Sequence, residues 1–230
     1  MIRHAVREVT DRPLRVTVSI PGGRELAEKT FNPRLGVEGG LSILGTSGIV
    51  RPFSASALRD ALICTLNVAV ACKVKSPVLV PGRIGERAAR RLFSLVPEQL
   101  IEVSNEWGFM VDESAKIDFE RLLVVGHPGK LAKLPNGDWD THSSRSKSAV
   151  PSVAELAEEV LGRPIPESRT VEGIFSGLES SERRTLADTL AGRIAGAISE
   201  RMQKRFPVSA VLVDMRGELL GSYGDVSTWH

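Results

Sequence analysis

Three short glycine pairs punctuate the sequence, each directly after an apolar run. Gly45-Thr46-Ser47-Gly48 follows Leu41 to Leu44, Gly82-Arg-Ile-Gly85 follows Val78 to Val80, and Gly126-His-Pro-Gly129 follows Leu122 to Val125. Glycine permits tight turns and close approach of a ligand to the backbone. A helix N-terminus adds free N–H groups and the positive end of the helix dipole. The last two pairs run straight into helical patterns, so they can receive a polar or anionic ligand. None is a fingerprint by itself, because ordinary strand-to-helix turns have the same form. Gly126 to Lys130 resembles a shortened P-loop. It has too few residues between its glycines, and Leu131 stands where the magnesium-binding Ser or Thr belongs, so triphosphate binding is not expected.

Cations and histidines cluster around these turns. Lys130 and Lys133 follow the third, three residues apart and so on one helical face, and Arg51 follows the first. Cations at a ligand-facing edge suit a substrate rich in carboxylates; solvated surface lysines are the other reading. His127 and His142 are the candidate functional histidines. No His-x-x-x-His or paired-cysteine spacing is present, so no metal site is expected. No Gly-x-Ser-x-Gly elbow supports a serine hydrolase.

The chain has 230 residues, 30 basic against 28 acidic, and 42% hydrophobic content. That balance argues against a strongly electrostatic nucleic-acid binder, and the apolar content argues against disorder. The two cysteines, Cys64 and Cys72, are separated by two helical turns, about 12 Å, too far to pair. They read as reduced core thiols of a cytoplasmic protein. No apolar run approaches membrane-spanning length, and the start lacks a signal-peptide pattern.

The elements that must position these groups follow from periodicity. Arg15 to Ile20 alternates polar and apolar and predicts a half-buried strand; Leu41 to Leu44 predicts another. An apolar strand pattern this near the first residue fits either a natural start or a missing upstream segment. Ser54 is placed to cap a helix running to about Cys72. Val78 to Val80, Leu100 to Val103 and Arg121 to Val125 read as strands, alternating with helices carrying Arg83, Arg87, Arg90 and Arg91, and then Trp107, Met110 and Val111 behind a cap at Ser104 or Asn105. Near-continuous apolar strands alternating with helices imply parallel pairing with both sheet faces covered. The polar stretch from Asn136 to Ser148 is a long loop, either functional or mobile. Ser152 and Glu155 suggest a capping box for a helix ending near Gly162. Leu186, Leu190, Ile194, Ile198 and Met202 recur every four residues, the core stripe of a helix from about Ser181 to Arg205. A strand at Ser209 to Val213 and a hairpin return at Glu218 to Ser222 follow. The expected fold is α/β: a largely parallel, Rossmann-like sheet with flanking helices over 53–230, behind a β-rich lead-in over 1–52. In such sheets ligands bind beyond the carboxyl ends of the strands.

Two long strings carry a family resemblance. Pro21-Gly-Gly-Arg-Glu-Leu-Ala-Glu-Lys-Thr-Phe-Asn-Pro-Arg-Leu-Gly36 and Gly39-Gly-Leu-Ser-Ile-Leu-Gly-Thr-Ser-Gly-Ile-Val-Arg-Pro52 resemble two segments of the CbiD family of cobalt-precorrin-5B C1-methyltransferases. Ser104-Asn-Glu-Trp-Gly-Phe109, Gly126-His-Pro-Gly-Lys130 and Thr141-His-Ser143 follow in family order. The resemblance is clear to about residue 145 and looser beyond. Ser144 to Ser148 departs from the family pattern. Family members also carry a long N-terminal region, with a Gly-Tyr-Thr-Thr-Gly-type motif and an alanine-rich helix, that this sequence does not contain.

The resemblance implies methyl transfer from S-adenosylmethionine to C1 of a cobalt-containing tetrapyrrole in anaerobic cobalamin biosynthesis. It implies donor contacts at Gly45, Thr46, Ser47, Gly48, Asn105, Glu106, Gly126 and Gly129. Substrate carboxylates would meet Arg51, Lys130, Lys133 and Arg145, with Thr141 and His142 from the polar loop, and His127 would move a proton or hold a carboxylate. The expected partner is the tetrapyrrole, with no nucleic acid and no membrane; a homo-oligomer is left open. The absent N-terminal region supports a rival expectation, a non-catalytic fragment that binds tetrapyrrole or a partner protein.

Overall fold

In the computed structural model, residues 2–30, 32, 37–42 and 55–230 are described. The chain divides into two compact units, Met1–Cys64 and Thr65–His230.

The first unit contains helix α1 (Ile2–Arg7), helix α2 (Gly23–Ala27) and the start of α3 (Ala55–Ala71). Gly22 enters α2 with φ 69°, a left-handed conformation that favours glycine. The buried Asn32 bonds to two later residues: its side-chain amide donates to the Gly40 carbonyl at 3.1 Å, and Ser42 Oγ donates to its Oδ1 at 3.3 Å. The two long sequence strings are therefore joined through one side chain. The strand expected at Arg15–Ile20 does not form. Leu14, Val16, Val18 and Ile20 are 45–60% exposed, and none of 13–20 joins a ladder. Alternation gives a segment two faces, but a strand also needs a hydrogen-bonded neighbour, and the described residues supply none. The β-rich lead-in thus has no strand among its described residues. Leu41 and Ser42 are not in a strand either; the rest of that segment, and the Ser54 cap, lie outside the described residues.

Helix α3 forms as the periodicity predicts, with Leu62, Thr65, Leu66 and Ala69 buried. Cys64 and Cys72 are exposed, not core thiols. The helix is apolar around most of its girth, so composition alone does not say which side is covered.

The second unit is a five-stranded sheet in the order β2-β1-β3-β4-β5. Its strands are β1 (Val78–Val80), β2 (Leu100–Glu102), β3 (Leu122–Gly126), β4 (Val208–Val213) and β5 (Leu219–Tyr223). β2, β1, β3 and β4 are parallel, and β5 returns antiparallel to β4 as the hairpin pattern predicts. Val78, Val80, Leu123, Val125, Val211 and Val213 share one face, closed by Ala88 and Ala89 of α4 (Arg83–Leu92) and by Trp229. Trp229 is 1% exposed, and its ring N–H donates to the Ser76 carbonyl at 2.9 Å, so its one polar atom is satisfied in the core.

The opposite face is covered where β4 and β5 meet α9 (Ser180–Arg201). Leu186, Leu190, Ile194 and Ile198 are buried along this helix, the stripe read from the sequence. Both faces covered explains why the strands are continuous apolar runs.

Between β2 and β3 lies α5 (Trp107–Ser114), whose Trp107, Met110 and Val111 are all fully buried. Its N-cap is Glu106 without a side-chain cap bond; neither Ser104 nor Asn105 caps it. Between β3 and α9 come α6 (Pro128–Leu131), α7 (Val150–Leu161) and α8 (Val171–Ser176). α7 ends at left-handed Gly162 as expected, but Ser152 falls inside its first turn and Ala149 is the N-cap. Pro151 in that first turn carries no N–H to satisfy.

The order reverses between β1 and β3: from β1 the chain moves outward to β2, then crosses back to β3. Such a switch point leaves a crevice beyond the carboxyl ends of the two adjacent strands.

Candidate functional site

The second and third glycine turns occupy that switch point. Gly82 follows β1 with φ 150°, a backbone conformation that L side chains rarely adopt. Gly85 packs α4 onto β3: a Cβ there would lie 2.5 Å from the Val125 carbonyl oxygen. At the end of β3, a Cβ on Gly126 would lie 2.8 Å from the Pro81 ring. The two turns are therefore in contact and fit only because these positions lack side chains.

His127 caps α6. Its Nδ1 accepts the Gly129 backbone N–H at 3.0 Å. A backbone N–H can only donate, so in the neutral ring Nε2 carries the proton and donates it to Glu172 Oε2 at 2.8 Å. Both ring nitrogens are engaged, and protonating Nδ1 would cost the cap. Glu172 lies on α8, a six-residue helix that periodicity does not reveal. Its one local signal is Thr170, whose hydroxyl accepts the Gly173 N–H as an N-cap at 2.9 Å.

Two clefts flank the His127 turn. The first, of about 420 Å³, is walled by Pro81, Gly82, Ile84, Gly85, Gly129 and Met215, with Arg83 and Lys130 among its lining residues. Lys130 Nζ lies 3.5 Å from the Pro81 carbonyl oxygen. Burial pushes its ammonium below the ordinary lysine range, against the raising effect of the Glu102 carboxylate, and Lys133 lowers it further. The second cleft, of about 490 Å³, shares His127, Gly129 and Met215 and continues along Ser143, Ser146 to Val150 and Arg169 to Glu172. Met215 comes from the β4–β5 hairpin and carries no sequence signal of its own.

The polar loop is fastened beside the β2 end. Thr141 N–H donates to the Asn105 carbonyl at 3.1 Å, and Thr141 Oγ1 to Asn105 Oδ1 at 3.3 Å. Asp140 and Glu106 form an isolated antiparallel backbone bridge, and Gly108 N–H donates to the Trp139 carbonyl at 3.0 Å. The Arg201 guanidinium stacks 4.6 Å from the centre of the Trp139 ring. Lys133 is buried, and its ammonium donates to the Thr141 carbonyl at 3.2 Å and to Ser146 Oγ at 2.7 Å. Arg145 pairs with Asp140 at 2.5 Å and lies 3.9 Å from Glu106. Burial works to raise the Asp140 carboxyl, but the Arg145 hydrogen bond, the His142 N–H and nearby positive charge together hold it below the usual carboxylate range. His142 Nδ1 meets Ser144 Oγ at 2.8 Å.

The sheet's carboxyl edge therefore gathers Asn105, Glu106, Gly126, His127, Gly129, Lys130, Lys133, Thr141 and His142. Of these, His127, Gly129, Lys130 and Lys133 line the clefts. Thr141 is 2% exposed and Glu106 6%, so both are packed into the support of the loop. Gly45, Thr46, Ser47, Gly48 and Arg51 lie outside the described residues. Among the described residues, no group of three or more His, Cys, Asp or Glu is arranged to hold a metal, and no helix is long and apolar enough to cross a membrane.

Comparison with known proteins gives the family. The family described as CbiD matches residues 1–52, and its C-terminal domain matches residues 140–224. A protein of Syntrophotalea carbinolica named cobalt-precorrin-5B C(1)-methyltransferase is 58% identical over 229 residues, covering 100% of this chain and 65% of the relative. Proteins of the same name from Methanocaldococcus jannaschii and Alkaliphilus metalliredigens are 40% and 38% identical, covering 93% and 96% of this chain. This chain covers 60% of each of those two, so it spans under two thirds of the length of these curated relatives. No solved structure matches it. From its first motifs to the end of its sheet, the chain belongs to the CbiD family.

Proposed function

We propose that this chain takes part in S-adenosylmethionine-dependent methyl transfer to C1 of cobalt-precorrin-5B, in cobalamin biosynthesis. The observation that carries the reading is the 58% identity, over 229 residues, to a relative of that name.

The clefts fit the chemistry. The bare backbone at Gly82 and Gly129 and the apolar faces of Pro81, Ile84 and Met215 suit a flat adenine ring. The Lys130 ammonium and the Arg83 guanidinium suit the donor's carboxylate or a carboxylate arm of the substrate. When bound, S-adenosylmethionine supplies a methyl group on a positively charged sulfur, which the tetrapyrrole carbon displaces in line.

The protein's part in such a displacement is alignment and exclusion of water. His127 holds the Gly126–Lys130 turn rigid between the Gly129 N–H and Glu172. Lys133 and the Asn105–Thr141 pair hold the polar loop in place as the far wall.

The test is calorimetric titration with S-adenosylmethionine, followed by an assay of methyl transfer to cobalt-precorrin-5B. Binding of both ligands with turnover is the expected result. Binding without turnover would assign this chain the ligand site alone. Failure to bind the donor, when a full-length relative binds it under the same conditions, would overturn the reading.

A further inference from the structure

The two clefts beside His127 differ in chemistry although they share a wall. The first is walled mainly by apolar side chains and glycine backbone. The second is lined by Lys147 and Arg169, with hydroxyl groups at Ser143 and Thr170. Lys147 and Arg169 have no ion-pair or hydrogen-bond partner among the described residues. The only carboxylate among the lining residues of the second cleft is Glu172, and His127 already engages it at 2.8 Å. The third cation there, Lys133, spends its ammonium on Thr141 and Ser146. The second cleft therefore presents two uncommitted cations and no uncommitted anion.

We propose that the clefts divide the two ligands. The cleft over Pro81–Gly85 receives the methyl donor, and the cleft beside Lys147 and Arg169 receives carboxylate arms of the tetrapyrrole. His127, Gly129 and Met215 form the partition across which the two would meet. This division rests on the methyltransferase reading. It moves Lys130 from the substrate to the donor, because its ammonium faces the first cleft beside Pro81.

The physical reasons are solvation and charge. An adenosyl group gains most from an apolar wall with few polar contacts. A polycarboxylate macrocycle keeps its charged arms near water and gains most from exposed, paired guanidinium and ammonium groups. Affinity in the second cleft should then fall with added salt more steeply than in the first.

The experiment measures calorimetric affinity of the parent chain, of a Lys147→Ala/Arg169→Ala double variant and of Lys130→Met, for S-adenosylmethionine and for cobalt-precorrin-5B separately, at low and high salt. Both double-variant positions are exposed, and thermal unfolding checks that all three proteins are folded. The double variant should lose about tenfold or more in tetrapyrrole affinity while donor affinity stays within about twofold. Lys130→Met should do the reverse. The division is overturned if the double variant leaves tetrapyrrole affinity unchanged, if both variants weaken both ligands alike, or if their effects are exchanged. A parent chain that fails to bind the donor, when a full-length relative binds it under the same conditions, overturns the methyltransferase reading and this division with it; a parent chain that binds the donor but not the tetrapyrrole overturns the division.

Discussion

The Gly82–Gly85 and Gly126–Gly129 turns look alike as strings but work differently. Both follow apolar strands that pair in parallel, Val78 beside Leu123 and Leu79 beside Val124. In the first turn the glycines serve packing: Gly85 lets α4 approach the Val125 carbonyl, and Gly82 takes a backbone angle that a side chain would strain. In the second turn the residue between the glycines does the work. His127 caps α6 with one ring nitrogen and reaches α8 with the other. One turn fixes a helix to the sheet; the other ties three elements together beside a cleft. A shared glycine spacing is thus evidence for a tight turn and no more.

Substitutions at three positions sharpen or break this contrast. The largest effect is expected for Gly85→Ala. Its Cβ would meet backbone 2.5 Å away, and overpacking of this kind costs about 3 kcal/mol, a fall in thermal midpoint on the order of 10 °C for a chain this long. A loss under about 1 kcal/mol would show that α4 shifts freely and that the first turn is not a packing device.

His127→Ala comes next. It removes a helix cap, and caps contribute about 1 kcal/mol. His127→Asn should recover most of that in urea unfolding, since an amide oxygen can accept the same Gly129 N–H. If Asn restores stability but not methyl transfer, His127 has a chemical role besides the cap. If neither substitution changes stability, the capping account fails.

The smallest stability effect belongs to Lys130→Met. Burial lowers the folded-state pKa of Lys130 below its unfolded value. The unfolded chain therefore binds this proton more tightly, and stability rises with pH between the two values. At neutral pH the charged lysine works against folding, so Lys130→Met should unfold within about 0.5 kcal/mol of the parent, on the more stable side. A loss above about 1 kcal/mol would make Lys130 a structural residue and remove it from the ligand site.

Sequence periodicity reached far into the second unit and little into the first. The Leu186 to Ile198 stripe and the Leu122 to Val125 run are long or uniform enough that burial is their only stable outcome. Arg15 to Ile20 carries a clean alternation as well, yet it forms no strand, because pairing depends on a neighbour that the segment itself does not encode. Cys64 and Cys72 illustrate the same limit on a helix: apolar composition marks α3 as helical without saying which side is covered. Glu172 and Met215 were invisible because a six-residue helix and a hairpin turn have too few residues for a period to emerge.

What the sequence by itself determined is the family, the alternation of strands and helices, and the gathering of Gly126, His127, Gly129 and Lys130 at a strand end. These follow from local chemistry: apolar period, glycine turns and long shared strings. Only the tertiary structure decided that β1 and β3 are neighbours and that Lys133 and Thr141 are buried supports. It alone brought Glu172 and Met215 to the His127 turn. Those outcomes come from contacts between residues far apart in the chain, and long-range contacts are set by which surfaces can be buried together, a property that no single segment contains.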